Sequence, residues 1–156
     1  YSCCMLKKSS EIRQLESKIE KFARAGSDTL PNGGWVKAIR NALGMSARQL
    51  GKRLNLTRQG IHEIEKREAD GSITIKALRE TAEALEMKLV YGFIPIDGSL
   101  EALIEKKARV LALQIVHRTN ISMKLEQQEI APQKIAYAIE ERTNMIKEEM
   151  PKTLWE

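Results

Sequence analysis

The chain has 156 residues, of which 42% are hydrophobic and 4% aromatic, and its 26 Lys and Arg against 21 Asp and Glu give a net charge of +5. This length suits one domain, or a small domain with helical extensions, and no apolar run approaches a membrane span or a signal-peptide core. The two cysteines, Cys3 and Cys4, are adjacent, which excludes a disulfide framework and a complete zinc site. We expect a cytoplasmic, mainly helical protein with no metal or other cofactor. Whether residues 1–4 are native is left open.

The positive charge lies early in the chain. Residues 35–70 contain eight basic and four acidic side chains, a balance of +4, whereas residues 97–156 contain nine and ten. Such a basic block favours an anionic partner such as nucleic acid, and the near-neutral remainder favours a surface for assembly.

A helix is predicted over residues 9–25, followed by a loop over residues 26–34 (GSDTLPNGG), and we delimit residues 1–34 as an N-terminal helix and loop. The apolar positions of this helix recur at intervals of three and four residues and form a seam along one side. This seam has two alternative interpretations: it packs against a coiled-coil partner, or it packs onto the main domain or a dimer mate. The apolar positions are Ile12, Leu15, Ile19 and Phe22.

Residues 35–87 follow as a series of short amphipathic helices, and we predict one small domain there. Ser46 and Thr57 occupy N-cap positions, and Asn55 is a residue that tolerates a left-handed turn. A turn is expected at Asp70-Gly71. The predicted helices are Trp35–Leu43, Ala47–Leu54, Arg58–Lys66 and Thr74–Leu85.

Residues 47–66 (ARQLGKRLNLTRQGIHEIEK) have the spacing of a helix-turn-helix. Five apolar side chains must meet in one core, a small residue is needed where the helices cross, and the turn needs a residue that accepts positive φ. The alternative is a helical hairpin that does not bind DNA. The helix-turn-helix core is predicted to consist of Leu50, Gly51, Leu54, Asn55, Leu56, Ile61 and Ile64.

The second of these helices is the predicted recognition helix. Its buried side is defined by Ile61 and Ile64, which leaves Arg58, Gln59 and His62 on the other side as candidate contacts to DNA bases. Gln59 suits adenine and Arg58 suits guanine, whereas His62 either reads a base or is solvated. The candidate phosphate contacts, for which ordinary surface charge is the alternative, are Arg40, Ser46, Arg48, Thr57 and Lys66.

The hydrophobic pattern is no longer helical over residues 88–95. The β-branched and aromatic residues of Lys88–Ile94 (KLVYGFI) predict the one β-strand of the chain. A lone strand leaves both edges unpaired, so we expect it to pair with the same strand of a second subunit in a homodimer. The alternative is an extended segment covered by the C-terminal helices. Residues 96–156 are predicted as a C-terminal helical region, with helices from Ser99 to about Thr119 and from Pro132 to about Met150.

The predicted five-helix run Trp35–Met87 resembles the phage-repressor-like, Cro/Xre-type helix-turn-helix domain, which binds operator DNA as a dimer. The sequence also resembles the family called mobile mystery protein A. That resemblance implies a protein encoded beside a Fic-domain partner, often on mobile elements. It rests on Gly34–Ser46 (GWVKAIRNALGMS), Glu68–Leu85 (EADGSITIKALRETAEAL), Leu89–Pro95 (LVYGFIP) and Met123–Gln128 (MKLEQQ).

The leading hypothesis is therefore a sequence-specific DNA-binding transcriptional regulator, an autorepressor with an antitoxin-like relation to a Fic-domain protein. The alternative is a protein-level inhibitor that binds a Fic-type enzyme through its C-terminal helices, with DNA binding secondary. An enzyme is not expected, because His62 and His117 form no metal or catalytic constellation and the chain has no phosphate-binding glycine loop.

Overall fold

The computed structural model describes residues 2–26, 30–125 and 131–156. The chain divides into two compact units, Ala25–Gly92 and the pair of segments Tyr1–Arg24 and Phe93–Glu156. We call them the central unit and the terminal unit. Each is described by itself.

The central unit contains four helices: α2 (Trp35–Ala42), α3 (Ala47–Leu54), α4 (Arg58–Asp70) and α5 (Ile75–Ala84). The predicted ends of α3 are confirmed. Ser46 begins α3 with a capping box, in which Ser46 Oγ accepts from the Gln49 backbone N–H at 3.2 Å and Gln49 Oε1 accepts from the Ser46 N–H at 2.7 Å. These reciprocal bonds satisfy two N–H groups that the helix itself leaves unpaired.

Helix α4 starts where the sequence predicts and ends later. Thr57 Oγ1 accepts the Gly60 N–H at 3.1 Å, which confirms the predicted N-cap. The helix then continues past Lys66 to Asp70 and ends at Gly71, whose φ of 79° closes it in the left-handed conformation. The added turn includes Glu68, whose carboxylate accepts the backbone N–H groups of Trp35 and Val36 at the start of α2.

The core of the central unit is formed by one side chain or more from each of α2, α3 and α4, together with the residue that ends α5. Leu50 and Ile61 are fully buried at its centre. Removing apolar surface from water in this way is the main stabilising term of so small a unit. Its buried members are Val36, Ala47, Leu50, Ile61, Ile64 and Leu85.

The terminal unit contains α1 (Ser2–Ala23), α6 (Leu100–Leu125), α7 (Pro132–Glu149) and a 3-10 turn over Lys152–Trp155. Ile12 of α1 packs against its core, whereas Leu15 is 51% exposed. Helix α6 runs six residues beyond its predicted end at Thr119. Residues 126–130, between α6 and α7, lie outside the described residues, and they include part of the string Met123–Gln128. The buried core consists of Ile104, Ala108, Ala112, Ile146 and Leu154.

Residues 88–95 have no regular secondary structure, and no strand is present in the parts of the chain that the structure describes. The strand predicted there requires a partner strand, which a single chain does not supply, so pairing across a dimer stays a prediction. The mainly helical architecture is confirmed. The five-helix count is not, because the described residues of the central unit form four helices.

Candidate nucleic-acid interface

Helices α3 and α4 are joined by a three-residue turn whose backbone lies close to α3. Asn55 ends α3 with φ 55° and ψ 38°, the left-handed conformation expected at this position. The Leu56 N–H then bonds back to the Gly51 carbonyl at 2.8 Å. A Cβ atom on Gly51 would lie 2.6 Å from the Leu56 carbonyl oxygen, so only glycine allows this approach.

The apolar residues predicted for the helix-turn-helix core differ in their burial. Leu50 and Ile61 have no exposed surface, Ile64 is buried, and Leu54 packs against them. Leu56 differs, because its side chain is 45% exposed and its backbone rather than its side chain makes the contact with Gly51. The turn is therefore held by a backbone approach and not by a fifth buried apolar group.

The predicted base contacts lie on the first turns of α4. Arg58 and Gln59 are both exposed at its N-terminal end, immediately after the Thr57 cap. His62, one turn further, is less free, since its Nδ1 lies 3.4 Å from Glu65 Oε2 and its side chain is 43% exposed. Two exposed side chains with hydrogen-bonding ends thus project from the end of the helix that a helix-turn-helix inserts into the major groove.

Four predicted phosphate contacts are on the surface. Arg48 and Lys66 are exposed, as are Ser46 and Thr57, whose side-chain oxygens already accept the capping N–H groups described above. A capping hydroxyl retains its own hydrogen, which it can donate to a phosphate oxygen. These four positions therefore keep the chemistry that their predicted role requires.

Arg40 has a different role from the predicted one. Its side chain is buried, its Nε donates to Glu65 Oε1 at 2.6 Å, and its Nη1 donates to the Met45 carbonyl at 3.0 Å. The guanidinium is thus occupied in joining α2 to α4 and to the turn before α3. Sequence reasoning placed it on the surface because its partner is 25 residues away in the chain.

Glu68 was missed by the sequence reasoning. Its two carboxylate oxygens accept the backbone N–H groups of Trp35 and Val36, each at 2.9 Å, and so satisfy the N-terminus of α2 from α4. Gly34, with φ 89°, lies so close that a Cβ there would be 2.6 Å from Glu68 Oε2. The Gly33-Gly34 pair before Trp35 was the one signal that could have indicated this approach.

The carboxyl pKa of Asp70, at the end of α4, lies below its ordinary value. The Ser72 hydroxyl donates to Asp70 Oδ1 at 2.5 Å and the Ser72 N–H donates to the same atom at 2.9 Å. These bonds, with smaller contributions from Lys66 and Arg67, lower the pKa of Asp70 because they favour its charged form.

The described part of the chain contains neither a metal-binding group nor a membrane-spanning helix. No group of three His, Cys, Asp or Glu side chains there could hold a metal ion. Likewise, none of the described helices is long and apolar enough to cross a membrane.

Comparison with known families identifies the central unit. The family described as helix-turn-helix matches residues 36–91, which include α2 to α5 and part of the segment that follows. No match was found among curated proteins or among solved structures. The chain therefore contains a Cro/Xre-type helix-turn-helix domain, which supports DNA binding and transcription regulation. The match does not extend to the mobile mystery protein A family or to a Fic-domain partner.

Proposed function

We propose that the protein is a sequence-specific transcriptional regulator that binds operator DNA through α4 and represses its own operon. The observation that carries the proposal is the exposed pair Arg58 and Gln59 on a capped helix, supported by the family match over residues 36–91. The turn that orients this helix is fixed by the approach of Gly51 to Leu56. Because contacts within the domain fix both the turn and the start of α4, binding would need little rearrangement of the domain.

The test is binding to a labelled fragment from upstream of the protein's own gene, in the presence of competitor DNA. Affinity should fall steeply with salt, since each neutralised phosphate contributes about 0.9 to the slope of log K against log salt. Arg58→Ala and Gln59→Ala should each lose roughly 1–3 kcal/mol of discrimination at one base position. A salt-independent signal would contradict the proposal.

Lys107→Gln is the matched control for loss of a positive charge. Lys107 is exposed on α6 of the terminal unit. The candidate interface instead lies at the start of α3 and of α4. We expect Lys107→Gln to leave operator selectivity unchanged.

We further propose that the active form is a homodimer in which residues 88–95 pair across a two-fold axis. Support comes from the apolar side chains that this segment exposes, with Val90 at 68% and Phe93 at 84%. Exposed apolar side chains beside unpaired backbone are the features that strand pairing would cover. Val90→Pro removes one ladder donor, whereas Val90→Thr keeps it.

Sedimentation equilibrium of both variants tests the dimer. Val90→Pro should shift the mass towards the monomer and weaken operator binding, while Val90→Thr should remain dimeric. A wild-type monomer at the concentrations that saturate the operator, or a Val90→Pro protein that is still fully dimeric, would contradict this arrangement.

A second candidate function, inhibition of a Fic-domain partner, would use the terminal unit. It is favoured by apolar side chains that this unit leaves exposed, including Val110 at 50% and Tyr137 at 71%. Copurification with a coexpressed Fic-domain protein tests it. Val110→Asp should break such a complex, whereas the Arg58 and Gln59 variants should retain it. If the Arg58 and Gln59 variants also lose the complex, the two functions are not separable.

A further inference from the structure

A notch of about 200 Å³ lies between α2 and α4 and begins at His62, one turn beyond the first residues of α4. Its lining includes Lys37 of α2 and both His62 and Lys66 of α4. The sequence reasoning did not single out Lys37, because nothing local marks it; the crossing of α2 over α4 brings it to His62 and Lys66. The remaining lining residues are Gly33, Glu65 and Ala69.

The notch is strongly cationic. Lys37 and Lys66 are exposed, and within the described residues no carboxylate forms an ion pair with either of them. Lys37 lies along the backbone of Gly33, where a Cβ would be 3.2 Å from its Cδ and 3.8 Å from its Nζ. The aliphatic part of Lys37 is thus supported by Gly33, and its ammonium group stands at the rim.

The two acidic groups near the notch are already occupied. Glu65 is buried and binds Arg40 through Oε1, while its Oε2 lies 3.4 Å from His62 Nδ1. Glu68 is bound to the backbone N–H groups of Trp35 and Val36. Neither of these carboxylates is therefore free to neutralise Lys37 and Lys66. The charge of Asp70 does act on Lys66, but Asp70 is bound to Ser72 and does not line the notch.

Glu65 also orients His62. A carboxylate beside Nδ1 favours the proton on that nitrogen, so Nε2 is the atom directed away from Glu65. In the neutral imidazole Nε2 is an acceptor and cannot bind a phosphate oxygen, whereas in the imidazolium it becomes a charged donor.

We propose that Lys37, His62 and Lys66 together hold one backbone phosphate of the DNA duplex, and that protonation of His62 tightens this contact. The inference rests on the proposed function, since it assumes that α4 lies against DNA. It assigns His62 to the backbone rather than to a base, because its ring is drawn towards the notch by Glu65 while Arg58 and Gln59 remain free at the helix end.

The charges that face His62 support the expected direction of the pH effect. Helix α2 contributes Lys37 and also Arg40, which is paired with Glu65. Helix α4 contributes Glu65 and Lys66, and Arg58 lies one turn before His62. A phosphate held by the two lysines would add negative charge next to the ring and favour the imidazolium. DNA binding should therefore take up a proton at His62, and binding should tighten as the pH falls.

The phosphate contact is tested by the salt dependence of binding to the operator and to a scrambled duplex. Lys37→Gln should lower the affinity for both duplexes by the same factor, about two- to fivefold, because a phosphate contact carries no sequence information. Lys37→Gln combined with Lys66→Gln should reduce the salt slope by about 0.9, the value for one phosphate. A drop of about 1.8 would indicate two separate phosphates, and no drop would place the notch away from DNA; either result overturns the proposal.

The pH effect is tested between pH 8 and pH 5.5 with a matched control. His117, the other histidine of the chain, lies on α6 in the terminal unit and is exposed. Wild type and His117→Gln should both bind the scrambled duplex about two- to fivefold tighter at pH 5.5, and His62→Gln should lose this gain. A pH gain that survives in His62→Gln, or an effect of His62→Gln confined to one operator base pair, overturns the proposal.

These outcomes are distinguishable from failure of the proposed function. If wild type binds neither duplex in a salt-dependent way, the DNA-binding function itself is wrong. If wild type binds and Lys37→Gln behaves like Lys107→Gln, the regulator stands and the phosphate site falls.

Discussion

Arg40 and Glu65 form a buried ion pair, with Arg40 Nε donating to Glu65 Oε1 at 2.6 Å and both side chains 10% exposed or less. The pair joins α2 to the candidate recognition helix. Since each partner is removed from water, neither charge is tolerated alone.

Glu65→Ala should therefore destabilise the central unit by about 3–5 kcal/mol, because it leaves a buried guanidinium without its carboxylate. Replacing both partners, as in Arg40→Met with Glu65→Leu, should cost much less. Urea unfolding followed by Trp35 fluorescence, in a Trp155→Phe background, reports on this unit alone. A loss below about 1 kcal/mol in Glu65→Ala would contradict the importance of the pair.

The close approach of Gly51 to Leu56 predicts opposite effects for two glycine substitutions. Gly51→Ala places a Cβ 2.6 Å from a backbone oxygen and should cost about 1–3 kcal/mol, since the turn must move. Gly60→Ala meets its nearest atom at 3.4 Å and should stabilise α4 by about 0.5–1 kcal/mol. The same urea titration measures both. Equal effects would show that the Leu56 backbone does not approach Gly51 as closely as described.

Gly34 and Gly44 both have positive φ, but they differ in surrounding space, and Gly34, with ψ 167°, also lies in a region that only glycine adopts readily. Gly34→Ala adds a clash with the Glu68 carboxylate to the backbone strain, whereas a Cβ on Gly44 meets nothing within 4 Å. Gly34→Ala should therefore cost about 1–2 kcal/mol more than Gly44→Ala, the value of a lost helix cap. Hydrogen exchange at the Trp35 and Val36 amides should rise in the first variant alone.

The sequence was sufficient wherever a structural feature depends on neighbouring residues. Ser46, Asn55 and Thr57 act through bonds to residues no more than four positions away, and all three were assigned correctly. The same holds for the bounds of α3. Such local signals predict the helix-turn-helix without information on any tertiary contact.

The features that were missed depend on contacts distant in sequence. Glu68 reaches Trp35 across 33 residues, and Arg40 reaches Glu65 across 25. In the sequence, each of these charged side chains looks like an ordinary surface residue. Only the crossing of α2 and α4 brings it to the partner that it holds in place. The burial of Arg40 consequently moves the candidate phosphate contact on α2 to Lys37.

Asp70 and Ser72 give a prediction for acid conditions. Because the Ser72 hydroxyl lowers the pKa of Asp70, Ser72→Ala should raise that pKa towards the ordinary value of about 3.9, while the Ser72 N–H, Lys66 and Arg67 keep part of the shift. Ser72→Thr retains a hydroxyl and should keep the low pKa. Carboxyl chemical shifts of Asp70 across a pH titration measure the change directly.

The lowered pKa also fixes the direction of the stability change. An Asp whose pKa is lower in the folded state contributes stability that is present above the unfolded value, about 3.9, and is lost as the pH falls through the folded value. The contribution is small, since Asp70 is exposed to solvent. Wild type should therefore lose slightly more stability than Ser72→Ala between pH 5 and pH 2, and an equal loss in both proteins would contradict the role of the hydroxyl.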